Sequence, residues 1–356
     1  MPKRLTLVLG AVLVLVLVAG GVVGGTRWWR DSHRTNLQHA MAMAPHDAQR
    51  FSWTDWTAVR AELGADLGDS STSGEVTKFL DKGYDADLTS TSALVQSAPV
   101  LQVQYGFSPA SVDWELFSQA DGGAVVMLHM SEGYDFGRLA DRLTELGYAS
   151  PSNAAGVWRG GEDLLAQIAA GTNGLTPELN HIALDVQDRL IFTSDDADYL
   201  GRALDDAAAG SSVPGLDDVV GASGDPMSAS IYSGPYTCES LAMSQADGTD
   251  QAKADELIAA AGKVNPMTGF AMSVQPDRRV RVAMSFENPD QARTNAESRA
   301  VLASGPAPGQ GGVFADRFDL GPVQANGSVV TMDLQPVEGQ YVLSDLSTGP
   351  VLFATC

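Results

Sequence analysis

The chain runs to 356 residues, 44% of them hydrophobic, and sets 44 acidic against 22 basic side chains for a formal net charge of -22. Such a surplus of negative charge repels phosphate backbones and anionic headgroups, which excludes nucleic-acid binding as a function. The apolar content is ample for one large domain or two ordinary ones.

The first predicted element is a membrane segment. Leu5 to Gly25 is an unbroken run of 21 residues in which Thr6 is the only polar side chain. At 1.5 Å per residue a helix of that length reaches about 30 Å, the thickness of a bilayer's hydrocarbon core. Lys3 and Arg4 precede it and Arg27-Trp28-Trp29-Arg30 follow, so cations and an aromatic pair fall at its two ends, where the headgroup level favours them. The segment is expected to be a retained single-pass anchor for the cell membrane. Cleavage as a signal peptide is the competing expectation, because Ala19 and Gly21 are small enough for the peptidase, although the apolar region of such peptides spans only about 7 to 15 residues. Lys3 and Arg4 nearly balance Arg27, Arg30 and Arg34, so flanking charge does not choose an orientation. Long domains translocate largely regardless of charge, and two cysteines suit an oxidising compartment. Residues 35 to 356 are therefore expected to be extracytoplasmic.

Residues 31 to 50 (DSHRTNLQHAMAMAPHDAQR) are polar and aperiodic and read as a stalk. They carry His33, His39 and His46, expected to be solvated rather than metal-binding. A first α+β unit is expected over residues 51 to 210. Trp53, Trp56, Val59 and Leu63 recur at helical spacing before Gly64, predicting a helix from Ser52 to Leu63 with both tryptophans on its inner face. A second helix is predicted over Gly74 to Lys82. Trp114 to Gln119 and Ala124 to Met130 flank Asp121-Gly122-Gly123, the pattern of a hairpin. Asp135 then caps a helix presenting Phe136, Leu139, Leu143 and Leu146 until Gly147 stops it. A short helix near Leu164 to Ala170, a hairpin from Ile182 to Thr193, and a helix carrying Leu200, Ala203, Leu204 and Ala207 complete the unit.

Residues 211 to 226, rich in Gly, Ser, Asp and Pro, read as a connection. A second unit over 227 to 356 repeats the order: a strand from Ser228 to Tyr232, a helix from Gln251 to Lys263, a hairpin from Phe270 to Phe286, a helix from Asn288 or Pro289 to about Leu302, and a last hairpin from Ser328 to Asp345. Gly305 to Gly312 reads as a surface loop. At an offset of 156, Trp114 falls on Phe270, Gln119 on Gln275, Asp121 on Asp277 and Val126 on Val282. The expected fold is thus α+β, with two similar antiparallel-sheet units and helices on one face. Cys238 and Cys356 are the only cysteines and stand 118 positions apart. A bridge between them would pin the carboxyl terminus to the middle of the chain, worth nearly 5 kcal/mol in the chain-entropy picture.

Chemistry is sparse. His129 and His181 lie in or beside predicted strands, and no G-x-S-x-G, G-x-x-x-x-G-K-S/T or H-E-x-x-H occurs. Carboxylates cluster at Asp81, Asp85 and Asp87, at Asp195, Asp196 and Asp198, at Asp205 with Asp206, and at Asp217 with Asp218. Solvated acidic surface and helix amino ends explain these better than a Ca²⁺ loop, since Asp81 to Asp87 lacks the glycine and closing glutamate of an EF-hand. No catalytic, cofactor-binding or metal-ligating residue is assigned. The anchor, the two cysteines, the acidic exterior and the tryptophan-bearing Asp55 to Gly64 (DWTAVRAELG) resemble the uncharacterised membrane-anchored extracytoplasmic proteins of high-GC actinobacteria. That resemblance implies no activity and no site residue. The expected function is non-enzymatic binding of a protein or cell-wall partner by an anchored ectodomain. The alternatives are an envelope hydrolase using a carboxylate pair on glycan, and a cation-dependent binding module.

Overall fold

A computed structural model describes residues 34–153, 156–170, 174–210 and 213–356. The predicted anchor, Leu5 to Gly25, lies outside the described residues, as does His33. Among the described residues no helix is long and apolar enough to cross a membrane.

The first half of the chain forms α1 (Asn36–Met41), β1 (Arg50–Asp55), α2 (Trp56–Glu62), α3 (Ser73–Asp85), β2 (Val112–Ala120), β3 (Gly123–Met130), α4 (Phe136–Leu146), β4 (Val157–Arg159), α5 (Glu162–Ile168), β5 (His181–Asp185), β6 (Leu190–Ser194) and α6 (Ala197–Ala209). The second forms α7 (Asp217–Ser223), β7 (Ser228–Ser233), α8 (Gly248–Ala261), β8 (Gly269–Val274), β9 (Val280–Ser285), α9 (Pro289–Ala303), β10 (Phe318–Asn326), β11 (Val329–Pro336) and α10 (Val342–Ser347). The fold is α+β, and its strands make one 11-stranded sheet in the order β10-β11-β9-β8-β7-β1-β2-β3-β6-β5-β4. Every neighbouring pair is antiparallel. The halves meet where β1 pairs with β7, Ser52 standing opposite Ser230. Read outward from that seam, β2-β3-β6-β5 on one side matches β8-β9-β11-β10 on the other.

Helices cover both faces of this sheet rather than one. Leu139 and Leu143 of α4 share a core with Val126, Leu128, Val282 and Met284 on the first face. Leu37 of α1, Leu200 of α6 and Val219 of α7 share another with Trp53, Val125, Met127 and Ile231 on the second. The apolar run Val125 to Leu128 of β3 is the sequence trace of that two-sided burial, because consecutive strand residues point to opposite faces. Toward the β10 end the second face opens to solvent, and there Thr331 and Asp333 of β11 alternate with buried Val330, Met332 and Leu334.

Several expectations are corrected. Ser52 to Asp55 is strand, not helix: Phe51 and Trp53 enter the second core and Trp56 the first, so the two tryptophans lie on opposite faces. Asp55 ends the strand and caps α2, its carboxylate accepting from Ala58 N at 2.8 Å. The described part of the predicted stalk is packed structure: Thr35 caps α1 in a capping box, and Leu37, Ala40, Ala44 and Ala48 are buried. The connection holds α7, with Val219 and Val220 buried. The last hairpin is β10-β11, turning at Gly327-Ser328, while Val342–Ser347 is helix.

The expected offset of 156 does not hold across both strands of the hairpins. The β2-β3 turn has Ala120 opposite Gly123, whereas Gln275 N donates to Arg279 O at 2.8 Å and leaves three residues in the β8-β9 turn. That one-residue difference keeps Val126 and Val282 on the same face but puts Trp114 in the second core and Phe270 in the first. Matching pleats require Leu116 to superpose on Ala271.

Cys238 and Cys356 are joined, with Cα atoms 5.6 Å apart. Beside them Arg299 is wholly buried without a carboxylate and donates to Phe353 O at 2.6 Å, Asn265 O at 2.8 Å and Asn295 Oδ1 at 3.2 Å. Burial lowers its pKa to about 9. Covalent bond and guanidinium thus fix the same terminal segment.

Candidate functional site

A groove of about 640 Å³ lies between the β4 edge and α6. Its first wall comes from the chain entering β4: Ala149, Ser150, Pro151 and Ser152, then Gly156, Val157 and Arg159. Ala149 and Arg159 exchange backbone hydrogen bonds of 2.8 and 3.0 Å, folding that segment back along the strand. The second wall is α6, whose Asp196 cap accepts from Asp198 N and Tyr199 N at 3.0 and 2.6 Å. Tyr199, Leu200 and Ala203 turn into the core, which leaves Ala197, Asp198, Gly201, Arg202 and Asp205 facing the groove. A Cβ at Gly201 would meet nothing within 4 Å, so the wall is open there.

Arg159 and Arg202 are without a hydrogen-bonded or ion-paired side-chain partner among the described residues, and Arg202 rests its guanidinium 5.2 Å from the Tyr199 ring centre. Next to Arg159 in the sheet stands His181, whose Nδ1 is buried without a partner. Burial, followed by the Arg159 charge, holds this imidazole below its ordinary pKa.

The predicted acidic clusters disperse into separate tasks. Asp206 bonds His46 Nδ1 at 2.8 Å on the surface, and Asp218 accepts from Ser328 Oγ at 2.9 Å. Asp87, at positive φ, reaches across the halves to Leu343 N at 2.7 Å and Ser344 N at 3.2 Å. It borders a smaller cleft of about 200 Å³ with Asp85, Arg278 and Tyr341. Among the described residues no group of three His, Cys, Asp or Glu is placed to hold a metal ion.

His129 stacks on Trp114 with centroids 5.2 Å apart, while Arg189 approaches its Nε2 at 3.2 Å. Its Nδ1 stands 3.3 Å from Asp113 Oδ2, an ion-pair distance without hydrogen-bond geometry. Burial lifts the carboxyl of Glu115 to about 7. A carboxyl so tuned suits acid catalysis, but Glu115 is sealed: Ala93 N at 2.6 Å, Ser92 Oγ at 2.7 Å and Trp56 Nε1 at 3.0 Å occupy its two oxygens. It organises the core and lines neither the β4-α6 groove nor the cleft beside Asp87.

Sequence reading missed this site. Arg159 carried no pattern, Arg202 sat unremarked in a helix correctly anticipated, and only the fold brings the two walls together. The single-residue signal was Gly201, a residue that weakens a helix and leaves its surface bare. No protein-family model and no curated protein matches the chain. A solved structure described as crystal form I of TP0453 aligns over 88% of this chain and 97% of its own, at 6% identity and a TM-score of 0.41.

Proposed function

We propose that this protein is a single-pass cell-envelope protein whose extracytoplasmic domain, built from two copies of one strand-strand-helix-strand-strand unit, binds a partner rather than transforming it. The observation that carries the reading is the bridge between Cys238 and Cys356, which uses both cysteines of the chain. Disulfides persist outside the reducing cytoplasm. Joined to an apolar run long enough to span lipid, that bridge supports a domain held on the outer side. The copies are supported by the mirrored strand order about the β1-β7 seam.

Binding is assigned to the groove because it is roomier than the cleft beside Asp87 and presents arginines left without ion-pair partners among the described residues. The experiment is photo-crosslinking in membranes of the native host. A crosslinking residue at Ser152 should capture a discrete adduct, and one at Gln324, on the solvated β10 edge, should not. Equal capture from both positions, or none from Ser152, contradicts a binding role for the groove.

A further inference from the structure

We propose that the groove between β4 and α6 takes a short zwitterionic ligand of the amino-acid or oligopeptide class, with its carboxylate between Arg159 and Arg202 and its ammonium group at Asp198 or Asp205. This rests on the binding role proposed above and specifies the ligand. A volume of about 640 Å³ lies in the range of small-ligand sites, roughly 300 to 1,000 Å³. Local charge separates the groove from the rest of the surface. The whole chain carries 44 acidic against 22 basic side chains, yet the groove lining holds two arginines and two aspartates.

The arrangement of those charges names the ligand's chemistry. Asp198, Arg202 and Asp205 are spaced four and three residues apart, which sets them along one side of α6 as minus, plus, minus. Arg159 faces them from the opposite wall. A simple anion attracted to the arginines would meet a carboxylate one turn to either side. A simple cation would meet two guanidinium groups. A ligand with a carboxylate and an ammonium a few bonds away satisfies both.

The arginines are also free to act. Several other guanidinium groups are engaged by the fold: Arg60 and Arg299 bind backbone carbonyls, and Arg278, Arg281 and Arg317 bind carboxylates. Neither groove arginine lies within 4.0 Å of Asp198 or Asp205 as an ion pair, and the Tyr199 ring beneath Arg202 orients its guanidinium without neutralising it. Guanidinium groups bind carboxylates through paired N–H donors. Small residues along both walls, Ala149, Gly156, Ala197 and Gly201, leave room for a peptide backbone, and the hydroxyls of Ser150 and Ser152 supply neutral partners for its amides.

The test is titration calorimetry on the full-length chain in detergent micelles, using tri-alanine with free termini, its N-acetyl form and its C-terminal amide. Free tri-alanine should bind saturably, and each blocked form should bind at least tenfold more weakly. Arg159→Ala and Arg202→Ala should each lose at least tenfold, and Arg202→Gln, which keeps the side chain's length, should lose as much. Arg293→Ala, altering an exposed arginine of α9 that pairs with Asp290, should bind as the parent does. Absence of saturable heat with tri-alanine, equal binding of the blocked peptides, or undiminished binding in the Arg159 and Arg202 variants overturns the proposal. Capture from Ser152 in membranes together with no tri-alanine binding would refute the ligand class and leave the wider binding role standing.

Discussion

Replacing Glu115 by glutamine should change how stability depends on pH, and in a direction opposite to the usual carboxylate. Glu115 is wholly buried on β2, and burial raises its carboxyl from 4.5 to about 7 despite the donors of Trp56, Ser92 and Ala93. Because the folded state holds the proton more tightly than the unfolded one, the stability associated with this group is fully present below about pH 4.5. It is lost as pH rises toward 7. At 1.36 kcal/mol per pH unit the loss amounts to about 3 kcal/mol. The glutamine variant cannot ionise. Its amide must meet the indole N–H of Trp56 or the N–H of Ala93 with one donor end, which imposes a roughly constant cost of about 1 to 3 kcal/mol at every pH. Urea unfolding of parent and Glu115→Gln between pH 4 and 8 isolates the titration, since Asp55 and Asp87, also raised by burial, are common to both. The difference in unfolding free energy should shift toward the variant by about 3 kcal/mol across the range. A difference that is flat with pH refutes the claim that a buried carboxyl on β2 titrates within this range.

Arg299→Ala should destabilise by about 3 kcal/mol or more in the same unfolding assay, because it strands the acceptors Phe353 O and Asn265 O and leaves Asn295 Oδ1 only its bond from Asn265 N; a loss under 1 kcal/mol would show that the terminal segment is held otherwise. Reducing the Cys238–Cys356 bridge, or replacing both cysteines with alanine, should lower stability by up to about 5 kcal/mol, as expected when a loop of 118 residues is released. No change in the denaturation midpoint would contradict the constraint. Asp135→Ala removes the cap that accepts from Arg138 N at 2.9 Å and should cost about 1 kcal/mol, with faster amide exchange confined to the first turn of α4. Exchange unaltered there would mean the cap is idle.

What could be seen in the sequence follows how local the deciding interactions are. α4 was legible from Asp135 to Gly147 because its cap, apolar spacing and left-handed stop are all contained in one short stretch. The β2-β3 and β8-β9 hairpins were equally plain, each announced by its own turn residues. β1 was not: Trp53 and Trp56 three apart imitate a helix face, and only the backbone edges of β2 and β7 on either side make that segment a strand. α1 hid for a different reason, since its buried residues include Ala40, with Ala44 and Ala48 just beyond, and alanine writes little hydrophobic pattern. β10 was disguised by a register shift between Leu320 and Val323 that spans Gly321 and Pro322. The groove was beyond reach for the plainest reason, because its charges come from two walls that only the folded sheet brings together.

The proposed placement of this domain outside the cytoplasm is tested most directly by protease and thiol labelling on intact cells of the native host. Protease added outside should remove residues 34 to 356 and leave a small membrane-bound remnant, and a thiol reagent applied under denaturing conditions should label neither cysteine until a reductant is added. A domain that survives the protease with Cys238 and Cys356 both reactive would contradict the account.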